Sequence, residues 1–253
     1  MHNYLFGAPA TPRKPMATGH CEWFILGAYP SALHVKWTPP EGRGLAAVAV
    51  ADEPEPFWEG DDEAAHISNW SDALPWKPDW GKASSPGERN GFSGARLQEL
   101  VLKPLSIDRR AAWITDCLDL YHESDKAAAR FAEPEMAALL TKLNIKDRVL
   151  PSHPDDRQIV ATAQRDRLLG ELAECQPNRV ITLGNAALSV FGMLIEGAPP
   201  IGHLAPDASY GQTHEVRLSA GPPSQLLPLA HPAAPDRYQQ AHARWLESRQ
   251  RDA

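Results

Sequence analysis

The sequence predicts an α/β protein, a three-layer α/β/α sandwich around a central, mostly parallel sheet of about four strands. Short apolar runs with strand character alternate along the chain with longer segments of helical periodicity. Strands that alternate with helices form parallel sheets covered on both faces. The length of 253 residues suits one domain with a sizeable core. We therefore expect a single domain over residues 1–253.

Each strand is predicted from an apolar run bounded by turn residues. The runs with strand character are residues 22–27, 44–50, 110–120, 179–184 and 225–230, and residues 215–218 can add a hairpin strand. The helices follow from apolar positions at helical spacing and from end signals. They are predicted at residues 93–103, with Ser93 as N-cap, and at 134–143, 154–174, 186–194 and 236–249.

Two segments depart from this alternation. Residues 1–19 are polar and proline-rich, without the apolar core of a signal peptide, and predict an irregular N-terminal extension. Residues 51–92 predict an acidic, Trp- and Pro-rich excursion. Its first part, residues 51–80, holds nine acids, one base and four of the eight tryptophans, so we expect it to pack against the domain.

Composition limits the class of protein. The net charge of −7 disfavours nucleic acid as a partner. The acids of residues 51–80 account for that net charge, however, so the remaining residues could carry a basic face. No apolar run is long enough to span a membrane. The three cysteines, Cys21, Cys117 and Cys175, match no metal spacing and predict buried thiols. We expect a cytoplasmic monomer without metal or cofactor.

The predicted topology selects candidate site residues. Ligands of open α/β sheets bind beyond the carboxyl ends of the strands. The loops that follow the strands there contain Tyr29, Asp116, Asn185 and His231.

The order of motifs around these residues resembles the uracil-DNA glycosylase superfamily, over roughly residues 20–248. The resemblance is nearest to its group with G-E-x-P-G in the first loop and H-P-A-A in the last. The first motif stands here as Gly27-Ala28-Tyr29-Pro30-Ser31 and the last as His231-Pro232-Ala233-Ala234.

Three further motifs lie between these two, in the family's order. Ile114-Thr115-Asp116 occupies the place of the family's I-T-N strand end. Phe92-Ser93-Gly94-Ala95-Arg96-Leu97 is similar to its P-S-G-R-L helix start. A stretch ending in Leu183-Gly184-Asn185-Ala186-Ala187 is similar to its V-x-x-L-G-x-x-A motif.

The resemblance implies a chemistry. Such enzymes flip a base into a pocket and cleave its N-glycosidic bond, and the departing base takes on negative charge. It implies that His231 stabilises that charge by hydrogen bonding, that Asp116 reads the base edge, and that the first loop, with Tyr29, shapes the water site. The substrate-binding residues that it implies are Gly27, Ala28, Pro30, Ala47, Ser93, Arg96, Asn185, Pro232 and Arg237. The implied partner is DNA, single-stranded or damaged, or a small nucleobase or nucleotide.

The sequence departs from the family's pattern in three places. The first loop lacks the family's acid or amide, whose loss costs on the order of 10²–10⁴-fold in rate if nothing replaces it. Asp116 stands where the family has Asn, and an ionised carboxylate only accepts hydrogen bonds. Ala47 stands at the position of a base-stacking ring, for which Tyr29 or Trp37 could substitute. The cysteines do not fit the family's iron–sulfur members.

Alternatives to a glycosylase stay open. The chain could be a non-catalytic module that binds a nucleobase, a nucleotide or a protein, or a hydrolase of free nucleosides. Tyr29 could be an aromatic cap on the sheet, Asp116 a turn cap, and Asn185 only a turn residue.

Overall fold

The computed structural model describes residues 1–41, 44–74, 76–161, 163–195, 204–207, 210–218 and 222–251. The strands are β1 Trp23–Gly27, β2 Ala32–Thr38, β3 Leu45–Asp52, β4 Lys82–Ser84, β5 Trp113–Asp116, β6 Arg179–Leu183, β7 His214–Val216 and β8 Ser224–Leu229. The α-helices are α1 Glu63–Ala73, α2 Phe92–Leu97, α3 Asp125–Ala132, α4 Pro134–Lys142, α5 Asp156–Val160, α6 Ala163–Cys175, α7 Asn185–Leu194 and α8 Asp236–Arg251.

A five-stranded sheet in the order β5-β1-β6-β8-β7 forms the centre of the molecule. The first four of these strands are parallel, and β7 pairs antiparallel with β8 at one edge. The predicted α/β class with a mostly parallel sheet is confirmed, and the hairpin strand extends it to five strands. Because the four parallel strands point the same way, their carboxyl ends and the loops after them share one edge.

Helices cover both faces of this sheet. Successive strand residues point to opposite faces, so Phe24 packs with α5, α6 and α7, whereas Ile25 packs with the α2 region and α8. The three cysteines are buried, as predicted. No helix among the described residues is both long and apolar enough to cross a membrane.

A second core lies around a smaller sheet with the strand order β3-β2-β4, all antiparallel. The apolar run at residues 44–50 therefore belongs to this sheet and not to the parallel one. Trp37, Trp70 and Trp80 fill the second core, together with Tyr4 and Leu5 from the N-terminus. Residues near the N-terminus thus form part of a core, because burying large aromatic and aliphatic side chains stabilises the fold.

Two sequence predictions of irregular structure are corrected here. The excursion at residues 51–92 contains α1 and β4, although Pro75 lies outside the described residues. The N-terminal extension pairs through Asn3 with both Pro9 and Val149. In both segments the aromatic residues, which need burial, override the local preference of Pro and Gly for loops.

Two helix predictions also change. Helix α2 begins at Phe92 with Gly91, at a φ of 72°, as its N-cap, so Ser93 lies inside the helix and does not cap it. A π-helical turn, Gln98–Leu102, continues the helix. The predicted helix at residues 154–174 is two helices, α5 and α6, with residue 162 between them outside the described residues. Asp155 and Gln158 form a capping box at the start of α5.

Candidate functional site

The loops at the carboxyl edge of the sheet are neighbours in pairs. Gly27 at the end of β1 is in register with Asp116 at the end of β5. Gly184 after β6 approaches His231 after β8, with 3.4 Å between the place of a Gly184 Cβ and the His231 Cβ. The sheet therefore gathers the predicted first and last motifs along one edge.

Asp116 and Phe57 lie against the Cα of Gly27. A Cβ atom at Gly27 would be 2.6 Å from the Phe57 ring and closer still to Asp116 Oδ1. The Phe57 ring in turn lies 6.0 Å from the His231 ring, centre to centre. Phe57 thus links the first motif to the last, a role that the sequence did not predict for it.

Several contacts hold Phe57 in place. Its φ of 53° is uncommon for a bulky residue. Arg109 donates hydrogen bonds to the Phe57 carbonyl and, at 3.1 Å, to the Pro56 carbonyl. Gly94 of α2 lies so close to the carbonyls of Phe57 and Trp58 that it leaves no room for a side chain. Strained, over-determined backbone of this kind is typical of ligand sites.

Asp116 is buried, with 5% of its surface exposed. Its Oδ1 has no hydrogen-bond partner among the described residues, whereas its backbone carbonyl accepts from Arg167 at 2.7 Å. Burial raises the pKa of Asp116 to about 7, although the charges of Arg13 and Arg167 oppose the rise. The carboxyl group can therefore be neutral or ionised near pH 7.

A second buried carboxyl, Glu53, lies beside the first loop. It directly follows β3, and its side chain is 4% exposed. The Ser31 side chain and the Gly91 backbone lie near enough to lower its pKa. Arg13 Nη1 lies 3.9 Å from Glu53 Oε2. The first motif, which has no acid of its own, thus has one next to it in space.

Burial raises the pKa of Glu53 to about 7, and the charge of Asp116 adds to the rise while Arg13 opposes it. The two acids therefore interact. Arg13 and Glu53 line a cleft of about 380 Å³ between residues 11–16 and 52–56. That volume falls within the range of small-molecule sites.

His231 adopts a defined tautomer. Its Nδ1 accepts a hydrogen bond of 3.1 Å from the Ala233 backbone N–H, so in the neutral ring the proton is on Nε2. Burial lowers its pKa, which keeps the ring neutral at pH 7. A neutral His231 with Nε2–H as donor suits the stabilisation of a developing anion.

A buried chain of hydrogen bonds supports the strand end before His231. The Ala230 N–H donates to the Tyr210 hydroxyl at 3.0 Å, and that hydroxyl lies 2.9 Å from His242 Nδ1. His242 Nε2 lies 2.7 Å from the Leu100 carbonyl. The distances fit a neutral His242 that accepts from Tyr210 and donates to Leu100.

Tyr29 is directed towards the loop before α5. Its ring stacks on His153, with centres 4.3 Å apart and planes 1° apart, and its hydroxyl donates to the Pro154 carbonyl at 3.4 Å. This arrangement favours the interpretation of Tyr29 as a packing residue on the sheet over a catalytic one.

Two of the other predicted binding residues, Arg96 and Asn185, make hydrogen bonds that connect elements of the fold. Arg96 donates to the Pro232 carbonyl at 2.9 Å and to Gln239 at 2.6 Å, which ties α2 to the last loop. Asn185, the first residue of α7, accepts from the Leu204 N–H at 2.6 Å. Arg237 is exposed near the start of α8.

The predicted position of the stacking ring needs a correction. Ala47 lies within β3 of the smaller sheet, five residues before its end. Trp37 is fully buried in the second core, with its indole N–H donating to the Trp80 carbonyl at 2.6 Å. Phe57 is the aromatic residue at this edge that contacts Gly27. Its signal in the sequence was weak, since it lies inside the acidic stretch.

No protein-family model and no curated protein matches the chain. Within the described ranges, no group of three or more His, Cys, Asp or Glu side chains is arranged to hold a metal ion.

Proposed function

We propose that this chain is a nucleobase-binding protein of the uracil-DNA glycosylase type that hydrolyses the N-glycosidic bond of a base in DNA. One observation carries the proposal: at the carboxyl edge of a mostly parallel sheet, Asp116 and Phe57 lie against Gly27, and the His231 ring lies 6.0 Å from the Phe57 ring. The ordered motifs of the sequence support it, because they converge on this same edge.

Each of the three side chains has a role in the proposed reaction. A flipped base stacks on Phe57, an interaction that any base can make through its π-face. Asp116 reads the edge of the base. His231 donates from Nε2 to the oxygen on which the leaving base collects negative charge.

The pKa of about 7 at Asp116 bears on which base is read. A neutral carboxyl both donates and accepts, as an amide does, and so matches uracil, which offers O4 as acceptor and N3–H as donor. The ionised form only accepts and favours an exocyclic amine, as in cytosine or adenine. We therefore expect uracil-like bases to be preferred below pH 7.

A second function is favoured by the charge of the cleft. Three acids, Asp52, Glu53 and Glu55, line it against two bases, Arg13 and Lys14, so the excess of acid disfavours a phosphate backbone. A free base or nucleoside carries no phosphate and avoids that repulsion. The alternative is therefore a nucleoside hydrolase, or a module that binds a base without turnover.

The test is a glycosylase assay on single- and double-stranded oligonucleotides that carry uracil, hypoxanthine or xanthine, with the free nucleosides in parallel. We expect abasic product from an oligonucleotide, and a loss of about 10²–10³-fold in rate for His231→Ala. His2→Ala, at the exposed N-terminus, is the matched control.

The outcomes separate the alternatives. Product from nucleosides alone would replace the glycosylase by a nucleoside hydrolase. Thermal stabilisation by a free base, without product from any substrate even with protein in excess, would leave only the binding module.

A further inference from the structure

We propose that Glu53, with Arg13 beside it, supplies the carboxylate that orients and deprotonates the attacking water, a role for which the first-loop motif has no residue. The inference rests on the proposed function. It assigns the catalytic base to the residue that follows β3 of the smaller sheet, outside every motif that the sequence suggested.

The position of Glu53 carries the argument. The end of β3 brings its carboxylate to the first loop, because Arg13 lies 3.9 Å from it and also donates to the Ser31 carbonyl. Its side chain is nearly enclosed and lines the cleft. Burial and the neighbouring Arg13 guanidinium confine the carboxylate, as a base that must meet a water at a defined place requires.

Arg13 lies beside Glu53 and contacts the first loop. Its side chain is 8% exposed, its Nη2 donates to the Ser31 carbonyl, and its backbone N–H donates to the Asp119 carbonyl at 2.7 Å. Its Nε and Nη1 have no hydrogen-bond partner in the described part of the chain. Unsatisfied buried donors are costly, so they indicate a site for acceptors such as a water or a sugar oxygen.

Two other acids near Glu53, Asp52 and Asp116, already have other contacts. Both carboxylate oxygens of Asp52 accept hydrogen bonds, Oδ1 from Tyr4 at 2.6 Å and Oδ2 from Thr11 at 2.9 Å and 2.7 Å. Asp116 packs against Gly27, where the base edge is read. Glu53 is the carboxylate that both lines the cleft and adjoins the first loop.

The charged groups around Glu53 set its proton affinity. Arg13 faces it from the N-terminal segment and Asp116 from β5, while Lys14, Asp52 and Glu55 line the same cleft. With a pKa of about 7, Glu53 can take a proton and release it at neutral pH, as a general base does.

The step balances as a hydrolysis. Ionised Glu53 takes one proton from water, the water oxygen forms a bond to the sugar C1′, and the C1′–N bond breaks with its electron pair going to the base. His231 hydrogen-bonds the resulting anion. Glu53 then releases its proton, the base is protonated from solvent, and the products are an abasic sugar and the free base.

The experiment is the pH profile of single-turnover cleavage of the best oligonucleotide substrate, from about pH 5.5 to 9. On a uracil substrate the wild type should give a bell centred near pH 7. Its rising limb reports ionisation of Glu53 and its falling limb reports ionisation of Asp116.

Glu53→Gln should lose the rising limb and about 10²–10⁴-fold in rate, with binding of a non-cleavable oligonucleotide unchanged within about twofold. Glu53→Asp should keep the limb at a reduced rate. Arg13→Gln should move both limbs to higher pH, because removing a positive neighbour raises the pKa of each acid. Glu135→Gln, at an exposed position of α4, is the matched control and should keep the wild-type profile.

The results distinguish a failure of the role proposed for Glu53 from a failure of the proposed function. A wild-type rate and an intact rising limb in Glu53→Gln would overturn the role of Glu53 and leave the proposed function standing. Absence of cleavage by the wild type would overturn both. If circular dichroism shows that Glu53→Gln does not fold, the profile of Glu53→Asp decides, since a shortened base lowers the rate whereas a bystander does not.

Discussion

The carboxylate of Asp116 lies directly against the Cα of Gly27, its register partner on the neighbouring strand. The approach is possible only because Gly27 has no side chain, and the Phe57 ring uses the same space from the other side. The glycine of the first motif therefore makes room for the two groups that we propose to meet the base.

Gly27→Ala should displace Asp116 and Phe57 together. The added methyl overlaps both, and overpacking a core of this kind costs about 1–3 kcal/mol. We expect lower stability in urea unfolding and a loss of base binding, measured by titration with a non-cleavable oligonucleotide.

The matched control is Gly170→Ala in α6. Nothing lies within 4 Å of the place where its Cβ would be. Alanine at an open helix position stabilises by about 0.5–1 kcal/mol, so the two substitutions should change stability in opposite directions. A neutral effect of Gly27→Ala on both stability and binding would contradict the close contact.

The buried acids should make stability depend on pH. Glu53 and Asp116 have pKa values of about 7, above their ordinary values near 4. A raised pKa means that the folded chain holds the proton more tightly, so this stabilisation is complete below about pH 4 and is lost as the pH rises to about 7.

Urea unfolding at pH 5 and pH 8 measures this effect. Between these values the wild type should lose more stability than Glu53→Gln or Asp116→Asn, by on the order of 2 kcal/mol for each acid removed. Equal losses in all three proteins would show that neither acid retains its proton in the folded chain.

Phe57→Leu should weaken binding of the base. Stacking of a base on an aromatic ring contributes about 1–3 kcal/mol, which corresponds to an increase of about 5- to 150-fold in Kd. Phe131→Leu is the control, because Phe131 is buried to a similar degree in the second core, away from the site. If the two variants bind a non-cleavable oligonucleotide equally well, Phe57 is not the stacking ring.

Tyr29→Phe should leave cleavage unchanged within about twofold. The substitution removes a hydroxyl that makes one long hydrogen bond to the Pro154 carbonyl and keeps the ring that stacks on His153. Single-turnover rates decide the point, and a loss of a hundredfold or more would return Tyr29 to the catalytic role that the family resemblance implies.

Much of the sheet could be predicted from local sequence. The apolar runs at residues 22–27, 179–184 and 225–230 each became a strand of the parallel sheet, because a strand buried on both faces must be apolar along its length. The positions of Asp116 and His231 at one edge followed from the topology of such sheets. The run at residues 44–50 shows the limit of this reasoning, since an apolar strand does not indicate which sheet it joins.

The amino-acid sequence by itself determined the α/β class, the strand ends that carry Asp116 and His231, and the absence of an acid from the first motif. Only the tertiary structure decided that Glu53 lies beside Ser31, that Phe57 packs on Gly27, and that Arg13 enters the same place. The physical reason is distance along the chain. These contacts join the N-terminal segment, the smaller sheet and the parallel sheet. Burial of the second aromatic core, which no local pattern encodes, brings the first two of these together.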